Sequence, residues 1–405
     1  MKPIVRAGRM KPVHSDIRGP LFVEAMKRQK QGIDILKLNT GNPATFGFGL
    51  PDSIKNALME HMQDGVGYCD FKGMPQARQA ICDYETSKGI KGITPDDVFI
   101  GNGVSEVVSF ALTPLLNDGD EVLVPSPSYS LWGNSVYLED GKPVFYTCDE
   151  QANWYPDIQD IRSKITDKTK AIVIINPNNP TGVLYPKELL LEIIQIARES
   201  GLLIFADEIY DRLVMDGKQH ISLASLTEDV PVITLNGLSK SHCLCGYRCG
   251  WMVISGPREL TEDYRQGIIQ LTSLRLCANT MAQIVIPAAL DDMDTPASMV
   301  RPGGRIYEQR EATVRELEKI NGLSFVKNDA AFYVFPKLDV KKFNITDDKQ
   351  FAHDLLDVTN ILLVPGSGFD WKDPDHFRIV MLPQADILSD AIRRMGTFLD
   401  GYKQK

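Results

Sequence analysis

Residues Leu202–Tyr210 read LLIFADEIY, and this stretch decides the fold class. The segment Leu202–Ala206 is continuously apolar, which is typical of a strand covered on both faces of a mainly parallel sheet. Asp207 follows it directly. Because open α/β sheets bind ligands beyond the carboxyl ends of their strands, we expect Asp207 either to cap the next element or to pair with a cationic group.

Other short apolar segments have the same character, and several are bounded by Gly, Pro, Asn or Asp. Helical patterns at Ser105–Leu116 and Lys187–Ser200 lie between them. Strands alternating with helices predict an α/β core from about residue 50 to 290. The predicted strands are Val98–Ile100, Glu121–Val124, Val144–Thr147, Ala171–Ile175, Leu202–Ala206 and Val232–Leu235.

A chain of 405 residues exceeds the size of roughly 250–300 residues at which single cores stop growing, so we predict two domains. The polar, Pro- and Gly-bearing stretch 291–304 is interpreted as an interdomain crossing. We expect an N-terminal arm with part of the small domain at 1–49, a large domain at 50–290 and a small α+β domain at 291–405. The small domain's predicted elements are helices Arg305–Lys319, Lys349–Val358 and Ala385–Leu399, and strands Ala331–Phe335, Ile361–Val364 and Phe377–Val380.

The net charge and the lengths of the apolar segments bear on whether the protein binds nucleic acid or a membrane. A net charge of −9 and a pI of about 5.3 argue against nucleic-acid binding. No segment reaches the ~18 consecutive apolar residues of a membrane span, and no secretory signal is evident. We therefore predict a cytoplasmic protein with neither nucleic-acid nor membrane partners.

The cysteines indicate a reduced compartment, because seven of them lie in no disulfide-framework pattern. His242, Cys243, Cys245 and Cys249 look superficially like metal ligands. Zinc sites combine such a cluster with a second, distant pair, which the sequence lacks. We interpret these residues as packed thiols and expect no metal site.

Lys240 ends the segment Asn236–Lys240, which follows the predicted strand VITL. Such a lysine is often a solvated loop residue. However, Lys240 and Asp207 both follow strands of one sheet and can share a pocket. A lysine that forms a Schiff base and a carboxylate that faces a pyridine nitrogen are the two groups that pyridoxal phosphate requires.

Two Gly-bearing turns follow other strands. Asn176–Gly182 is a rigid turn that can hold the Asn179 amide against an oxygen ligand, although it could equally be a turn without a ligand. Gly101–Glu106 links a strand to a helix, and such turns cradle phosphate through backbone N–H groups. Arg248 could supply the cationic partner of that phosphate.

Two further side chains fit a flat anionic ligand. Tyr129 follows the strand that begins at Glu121 and could stack on an aromatic ring. Arg378 lies in a predicted small-domain strand that otherwise looks buried, and a buried charge requires an anion. A substrate α-carboxylate and a structural carboxylate are the two alternatives.

Together these motifs resemble those of fold-type I (aspartate aminotransferase-like) pyridoxal-phosphate enzymes, over nearly the whole chain. The resemblance implies a three-layer fold with a large cofactor-binding domain and a smaller α+β domain. It also implies a pyridoxal-phosphate-dependent aminotransferase acting on amino acids and 2-oxo acids. The matching segments are Asn39–Pro43, Tyr68 with Gly73, Gly103–Ser105, Pro127–Tyr129, Asn179–Gly182, Asp207–Tyr210, Ser239–Lys240, Arg248 and Arg378.

The resemblance implies roles for these residues. Lys240, Asp207 and Tyr210 would be catalytic: Lys240 holds the cofactor, Asp207 pairs with the pyridine nitrogen, and Tyr210 contacts O3′ with Asn179. Tyr68 would reach the phosphate from the neighbouring subunit of a homodimer. The other implied cofactor contacts are Gly103, Val104, Ser105, Tyr129, Ser239 and Arg248, and the implied substrate contacts are Gly41, Asn179 and Arg378.

Within this family the chain looks most similar to bacterial alanine aminotransferases, which interconvert alanine and glutamate with their 2-oxo acids. The supporting stretches are Asp16–Pro20, Leu274–Asn279 and Pro302–Arg310. Gly237 is a departure, since relatives commonly place a serine there on the phosphate. A different amino donor (aromatic or branched-chain), a pyridoxal-phosphate-dependent C–S β-lyase and an aminotransferase-like regulator are the alternatives.

An alanine–glutamate enzyme must accept both a methyl group and a distal carboxylate. A fixed, buried arginine would be left unpaired whenever alanine is bound, so a mobile arginine is favoured. Arg18, next to Gly19, is the candidate for this role, and a salt bridge to Asp16 or to another surface carboxylate is its structural alternative. Arg275 is a second candidate.

Overall fold

The computed structural model describes residues 2–405 and confirms the three-layer α/β architecture. The strands are β1 (Leu36–Lys37), β2 (Val98–Asn102), β3 (Glu121–Ser126), β4 (Lys142–Asp149), β5 (Tyr155–Pro156), β6 (Thr169–Ile175), β7 (Leu203–Asp207), β8 (Val232–Gly237), β9 (Cys249–Ser255), β10 (Leu323–Ser324), β11 (Tyr333–Val334), β12 (Lys337–Leu338), β13 (Ile361–Leu362), β14 (Val364–Pro365) and β15 (Phe377–Val380).

The helices cover the sheet and build much of the small domain. They are α1 (Pro20–Lys30), α2 (Asp52–His61), α3 (Pro75–Ser87), α4 (Val104–Leu112), α5 (Leu131–Leu138), α6 (Ile158–Lys164), α7 (Lys187–Ser200), α8 (Leu238–Ser241), α9 (Arg258–Arg275), α10 (Thr280–Ile284), α11 (Ile286–Asp291), α12 (Asp294–Val300), α13 (Arg305–Leu317), α14 (Val340–Phe343), α15 (Asp348–Thr359) and α16 (Ala385–Gly401).

The large sheet has eight strands in the order β2-β9-β8-β7-β6-β3-β4-β5. The pairs β4–β3, β3–β6, β6–β7 and β7–β8 are parallel, as the continuous apolar runs predict. All of the predicted large-domain strands are present. Two strands of this sheet were not predicted, the short β5 and β9, and β9 lies antiparallel between β2 and β8. The apolar run WMVI within β9 is the sequence feature that could have predicted this strand.

Both faces of the sheet are buried. Alternate residues of β6 enter different apolar clusters, with Ile172 and Ile174 on one side of the sheet and Val173 and Ile175 on the other. This arrangement explains why the central strands are apolar at successive positions, because neither face of a strand meets water.

The stretch 291–304, interpreted above as an interdomain crossing, contains the short helix α12. Asp292 accepts hydrogen bonds from the Thr295 backbone N–H (2.9 Å) and the Thr295 hydroxyl (2.7 Å). Bonds of this kind satisfy free backbone donors at the start of a helix, and they favour a helix in a polar sequence.

The small domain joins both ends of the chain. Strands β11, β15 and β14 form an antiparallel sheet, while β1 pairs in parallel with β13. We propose the division into an arm with part of the small domain (1–49), a large domain (50–290) and a small domain (291–405). No single helix among residues 2–405 is long and apolar enough to cross a membrane, although the sharply bent pair α9 and α10–α11 passes the same test jointly.

The N-terminal arm is fastened to the rest of the protein around His14. Its backbone exchanges two hydrogen bonds with the Asn134 side chain (3.1 and 2.6 Å), and its Nε2 lies 3.0 Å from Asp370 Oδ1. Nδ1 faces Asp16 Oδ2 at 3.5 Å, and Lys349 lies beyond Asp16. Hydrogen bonds to Asp16 and Asp370 raise the pKa of His14 to about 9.

Replacing Leu190 by alanine should destabilise the protein far more than the same change at Leu191. Leu190 is fully buried in α7, whereas its neighbour is 42% exposed. Loss of a buried leucine side chain leaves a cavity and typically costs about 2–5 kcal/mol, whereas exposed substitutions usually stay within about 0.5 kcal/mol. Urea unfolding followed by circular dichroism measures both, and equal losses would contradict the packing of α7.

The N-terminal arm should detach as the pH rises. Docking raises the pKa of His14, so it is favoured while the imidazole is protonated and weakens as the pH passes through about 9. Trypsin cleavage within the arm, measured against a reference peptide, should accelerate over that range. His14→Ala should cleave rapidly at neutral pH with a flatter profile, whereas His61→Ala, at an exposed histidine, should match the wild type. An unchanged profile in His14→Ala would exclude His14 as the titrating group.

Candidate active site

A cleft of about 870 Å³ opens at the carboxyl ends of the parallel strands, and residues from the segments 1–49, 50–290 and 291–405 all contribute to its wall. Most of the residues singled out from the sequence meet there. Those that line the cleft are Arg18, Gly41, Val104, Ser105, Tyr129, Asn179, Asp207, Tyr210, Ser239, Lys240, Arg248 and Arg378.

Asp207 is a buried carboxylate at the end of β7. The Trp132 indole N–H donates to its Oδ2 (3.1 Å), and the Ile209 backbone N–H donates to its Oδ1 (3.3 Å). Asp207 therefore both caps the following turn and faces the cleft. Burial raises its pKa to about 6, although the two hydrogen bonds oppose that shift. A cation in the cleft would favour the ionised form.

Lys240 stands on α8, which begins directly after β8. Its Nζ donates to the Gly41 carbonyl oxygen at 3.0 Å and lies 3.9 Å from Cys245 Sγ. The Cys245 thiol donates to the Ser239 carbonyl oxygen at 2.9 Å. Cys245 thus lies beside the amine, in a segment where the sequence suggested only packed thiols.

Arg378 is a fully buried cation whose contacts leave room for an anion. Its Nη1 donates to Asn179 Oδ1 (2.9 Å), and its Nη2 donates to the Asn39 carbonyl oxygen. Its Nε has no hydrogen-bond partner among residues 2–405. Burial lowers the pKa of Arg378. The structural carboxylate considered as an alternative does not accompany it, because its direct hydrogen-bond partners are neutral oxygens.

Aromatic rings hold this guanidinium in place. Its carbon lies 4.6 Å from the centre of the Tyr333 ring and 4.7 Å from that of Phe369. The Tyr333 hydroxyl in turn lies 2.9 Å from the Tyr210 hydroxyl. Sequence reasoning missed Tyr333 as a site residue, although it lies in a predicted strand and its buried hydroxyl requires a partner.

The turn before α4 is shaped to admit an anion. Gly103 has a φ of +82°, and a Cβ atom there would lie 2.3 Å from Arg248 Nη2. The guanidinium of Arg248 is held by the carbonyl oxygens of Cys245 (3.0 Å) and Asn102 (3.4 Å). The first turn of α4 and the Arg248 guanidinium therefore lie next to each other, and together they suit a phosphate group.

The packing explains why residue 237 is glycine, where relatives commonly have serine; the sequence did not reveal this reason. A Cβ atom at this position would lie 2.6 Å from the Cys249 carbonyl oxygen, because β9 passes close to β8 there. A serine would require the two strands to separate.

Two predicted residues lie elsewhere. The side chain of Arg275 donates to Glu106 (2.5 Å) and to the carbonyl oxygens of Phe71 and Ile100, and it does not line the cleft of its own chain. Its role as a substrate contact stays a prediction. Tyr68 is 85% exposed and does not line the cleft of its own chain.

Arg18 lines the cleft, and the salt bridge to Asp16 considered for it does not form. Asp16 instead faces His14 and Lys349. Arg18 therefore remains available to a ligand.

A buried group of acidic residues, Glu208 and Asp211 with His220, lies behind Asp207. Lys88 already supplies a cation there, since its Nζ lies 2.7 Å from Glu208 and 3.1 Å from Asp211. The arrangement is that of an internal ion-pair network.

Comparison with known proteins agrees with this geometry. The family model "Aminotransferase class I and II" matches residues 33–392. A glutamate-pyruvate aminotransferase, AlaA, of Haemophilus influenzae is 50% identical over 404 residues, covering 100% of both chains.

Solved structures agree as well. An aminotransferase from Escherichia coli superimposes with a TM-score of 0.98 at 47% identity, covering 100% of both chains. The alanine aminotransferase from Pyrococcus furiosus gives 0.92 at 41% identity, covering 98% of this chain and 100% of that one. The chain therefore belongs to the class I and II aminotransferase family.

Proposed function

We propose that this enzyme transfers an amino group between L-alanine and 2-oxoglutarate, yielding pyruvate and L-glutamate, with pyridoxal phosphate as its cofactor. The observation that carries the proposal is the convergence of Lys240, Asp207 and Arg378 on one cleft. The alanine preference is supported by the names of relatives at 45–50% identity, which are glutamate-pyruvate and alanine aminotransferases.

The residues present fit this cofactor. Asp207 is a buried carboxylate with neutral hydrogen-bond donors, and it suits a pyridinium N–H. Gly103, the first turn of α4 and Arg248 suit the phosphate, and Lys240 offers an amine for the aldehyde. When bound, pyridoxal phosphate supplies an electron-accepting ring that stabilises negative charge at the substrate Cα.

The protein's own residues would then act as follows. Arg378 and Asn179 bind the substrate α-carboxylate and orient its Cα–H bond. The Lys240 amine, close to Gly41 at the cleft wall, takes the Cα proton as a general base and returns it as a general acid. Tyr210 holds its hydroxyl in the cleft through Tyr333.

We further propose a homodimer in which Tyr68 reaches the cleft of a second copy. Support comes from an exposed apolar surface that surrounds Tyr68 on the segments next to α2 and α10. Its residues, with exposures of 37–85%, are Met62, Val66, Tyr68, Leu274, Leu276 and Met281. Large exposed apolar surfaces of this kind mark interaction sites.

The purified protein should be yellow and should form pyruvate from alanine and 2-oxoglutarate. Lys240→Ala should lose this activity, because the cleft then lacks its amine, while Lys91→Ala, at an exposed lysine, should behave as the wild type. Borohydride treatment should fix the chromophore to the peptide that contains Lys240. Labelling at another lysine would overturn its role. Pyruvate released from cysteine conjugates without a 2-oxo acid would indicate a lyase instead.

Arg18→Ala should selectively impair substrates with a distal carboxylate. Loss of a charge-assisted hydrogen bond of about 1.5–3 kcal/mol predicts a roughly ten- to hundredfold fall in kcat/KM for glutamate and 2-oxoglutarate. Alanine and pyruvate should change much less, since their methyl side chain needs no cation. Each half-reaction is measured separately by stopped-flow absorbance. Equal losses for both pairs would show that Arg18 supports the arm or the closure of the site.

A further inference from the structure

A second cavity, of about 390 Å³, adjoins the active-site cleft. It lies between α1, β1 and the turn Pro43–Phe46, outside the region that would hold the cofactor. The two cavities share Arg18, Thr40 and Asn42 in their walls. Arg18 therefore stands between a site for the distal carboxylate and a space with no assigned ligand.

The wall of this second cavity combines apolar surface with positive charge. Phe22, Ile35, Leu36 and Phe46 supply the apolar part. Arg18 and Lys37 are the charged residues of the wall, and the lining contains neither aspartate nor glutamate. Asp16, the acidic neighbour of Arg18 along the chain, is engaged by His14 and Lys349.

This composition indicates the chemistry of a ligand. Two cations facing one space without an acidic group favour an anion, and a carboxylate can accept hydrogen bonds from both. The aromatic and aliphatic side chains would bury an apolar body. Gln29, Thr40 and Thr45 offer neutral hydrogen-bonding groups around it.

We propose that the second cavity binds a small carboxylate with an apolar body, and that this ligand holds Arg18 away from the active-site cleft. The proposal rests on the role given above to Arg18 in the proposed function. A carboxylate in the second cavity and the distal carboxylate of glutamate would compete for one guanidinium. The ligand would therefore weaken binding of glutamate and 2-oxoglutarate while sparing alanine and pyruvate.

The test uses the holoenzyme and 3-methylbutanoate, which has an apolar body and neither an amino nor a 2-oxo group. At saturating probe the KM for glutamate should rise by about fivefold or more, the lower end of typical coupling between sites. The KM for alanine should change little. Acetate, which has the charge without the apolar body, should have a much smaller effect at equal concentration.

Two variants separate the second cavity from the cleft. Lys37 and Gln29 line the second cavity and are absent from the cleft wall. Lys37→Ala removes a cation, and Gln29→Trp fills the space. Both should keep the basal activity toward alanine and glutamate while losing the effect of the probe. Calorimetry should show heat of binding for the wild type and a large loss of affinity in both variants.

Each other outcome overturns part of the proposal. Equal inhibition with both amino acids that persists in Lys37→Ala would place the probe on Arg378. An equal effect of acetate would exclude recognition of an apolar body. Binding that depends on Lys37 but leaves the glutamate KM unchanged would refute competition for Arg18. Because calorimetry does not depend on turnover, failure of alanine transamination would leave the binding result interpretable.

Discussion

Parallel strands end at the same edge of a sheet, and the active site depends on this constraint. The register of β6, β7 and β8 places Ile175 beside Asp207 and Asp207 beside Leu235. The segments that leave these strands carry Asn179, Asp207 and Lys240. Asn179 and Lys240 are more than 60 positions apart in sequence, yet both line one cleft. The backbone pairing of the parallel strands brings them together.

Buried charge is the second organising feature. Lys88 compensates the Glu85, Glu208 and Asp211 carboxylates behind the cleft, at 2.8, 2.7 and 3.1 Å. Asn236 joins this network by donating to Asp211 at 2.7 Å. Each of these three carboxylates therefore has a cation beside it, whereas the hydrogen-bond partners of Asp207 and Arg378 on the cleft wall are neutral. Uncompensated buried charge is costly, so a ligand that brought the opposite charges to Asp207 and Arg378 would stabilise both groups.

Under the proposed function, the arm would link recognition of the substrate to the surface of the protein. His14 fastens it to Asn134 and Asp370, and four residues later Arg18 lies in the wall of both cavities. Arg18 belongs to a three-residue 3-10 helix in the arm, unlike Arg378, which is held in a strand between two aromatic rings. This difference suits a fixed contact for the α-carboxylate, common to all substrates, and an adjustable one for the distal carboxylate.

The sequence alone determined most of the large-domain strands and the groups at their ends. Apolar runs encode burial on both faces, and residues that follow such runs must lie at the sheet edge, so Asp207, Lys240 and Asn179 could be identified locally. Arg378 could likewise be identified from the sequence as an anion-binding residue, because it is an arginine in a strand that looks buried.

The tertiary structure alone decided which partner each charged side chain contacts. Arg18 was the first candidate for the distal carboxylate and Arg275 the second, and only the packing shows that Glu106 engages Arg275 while the arm brings Arg18 to the cleft. The fit of Gly237 under β9, the contact of Tyr333 with Tyr210, and the second cavity depend equally on segments distant in sequence. Local sequence patterns specify whether a residue is buried and whether its segment forms a helix or a strand. Which residues it contacts depends on how distant segments pack.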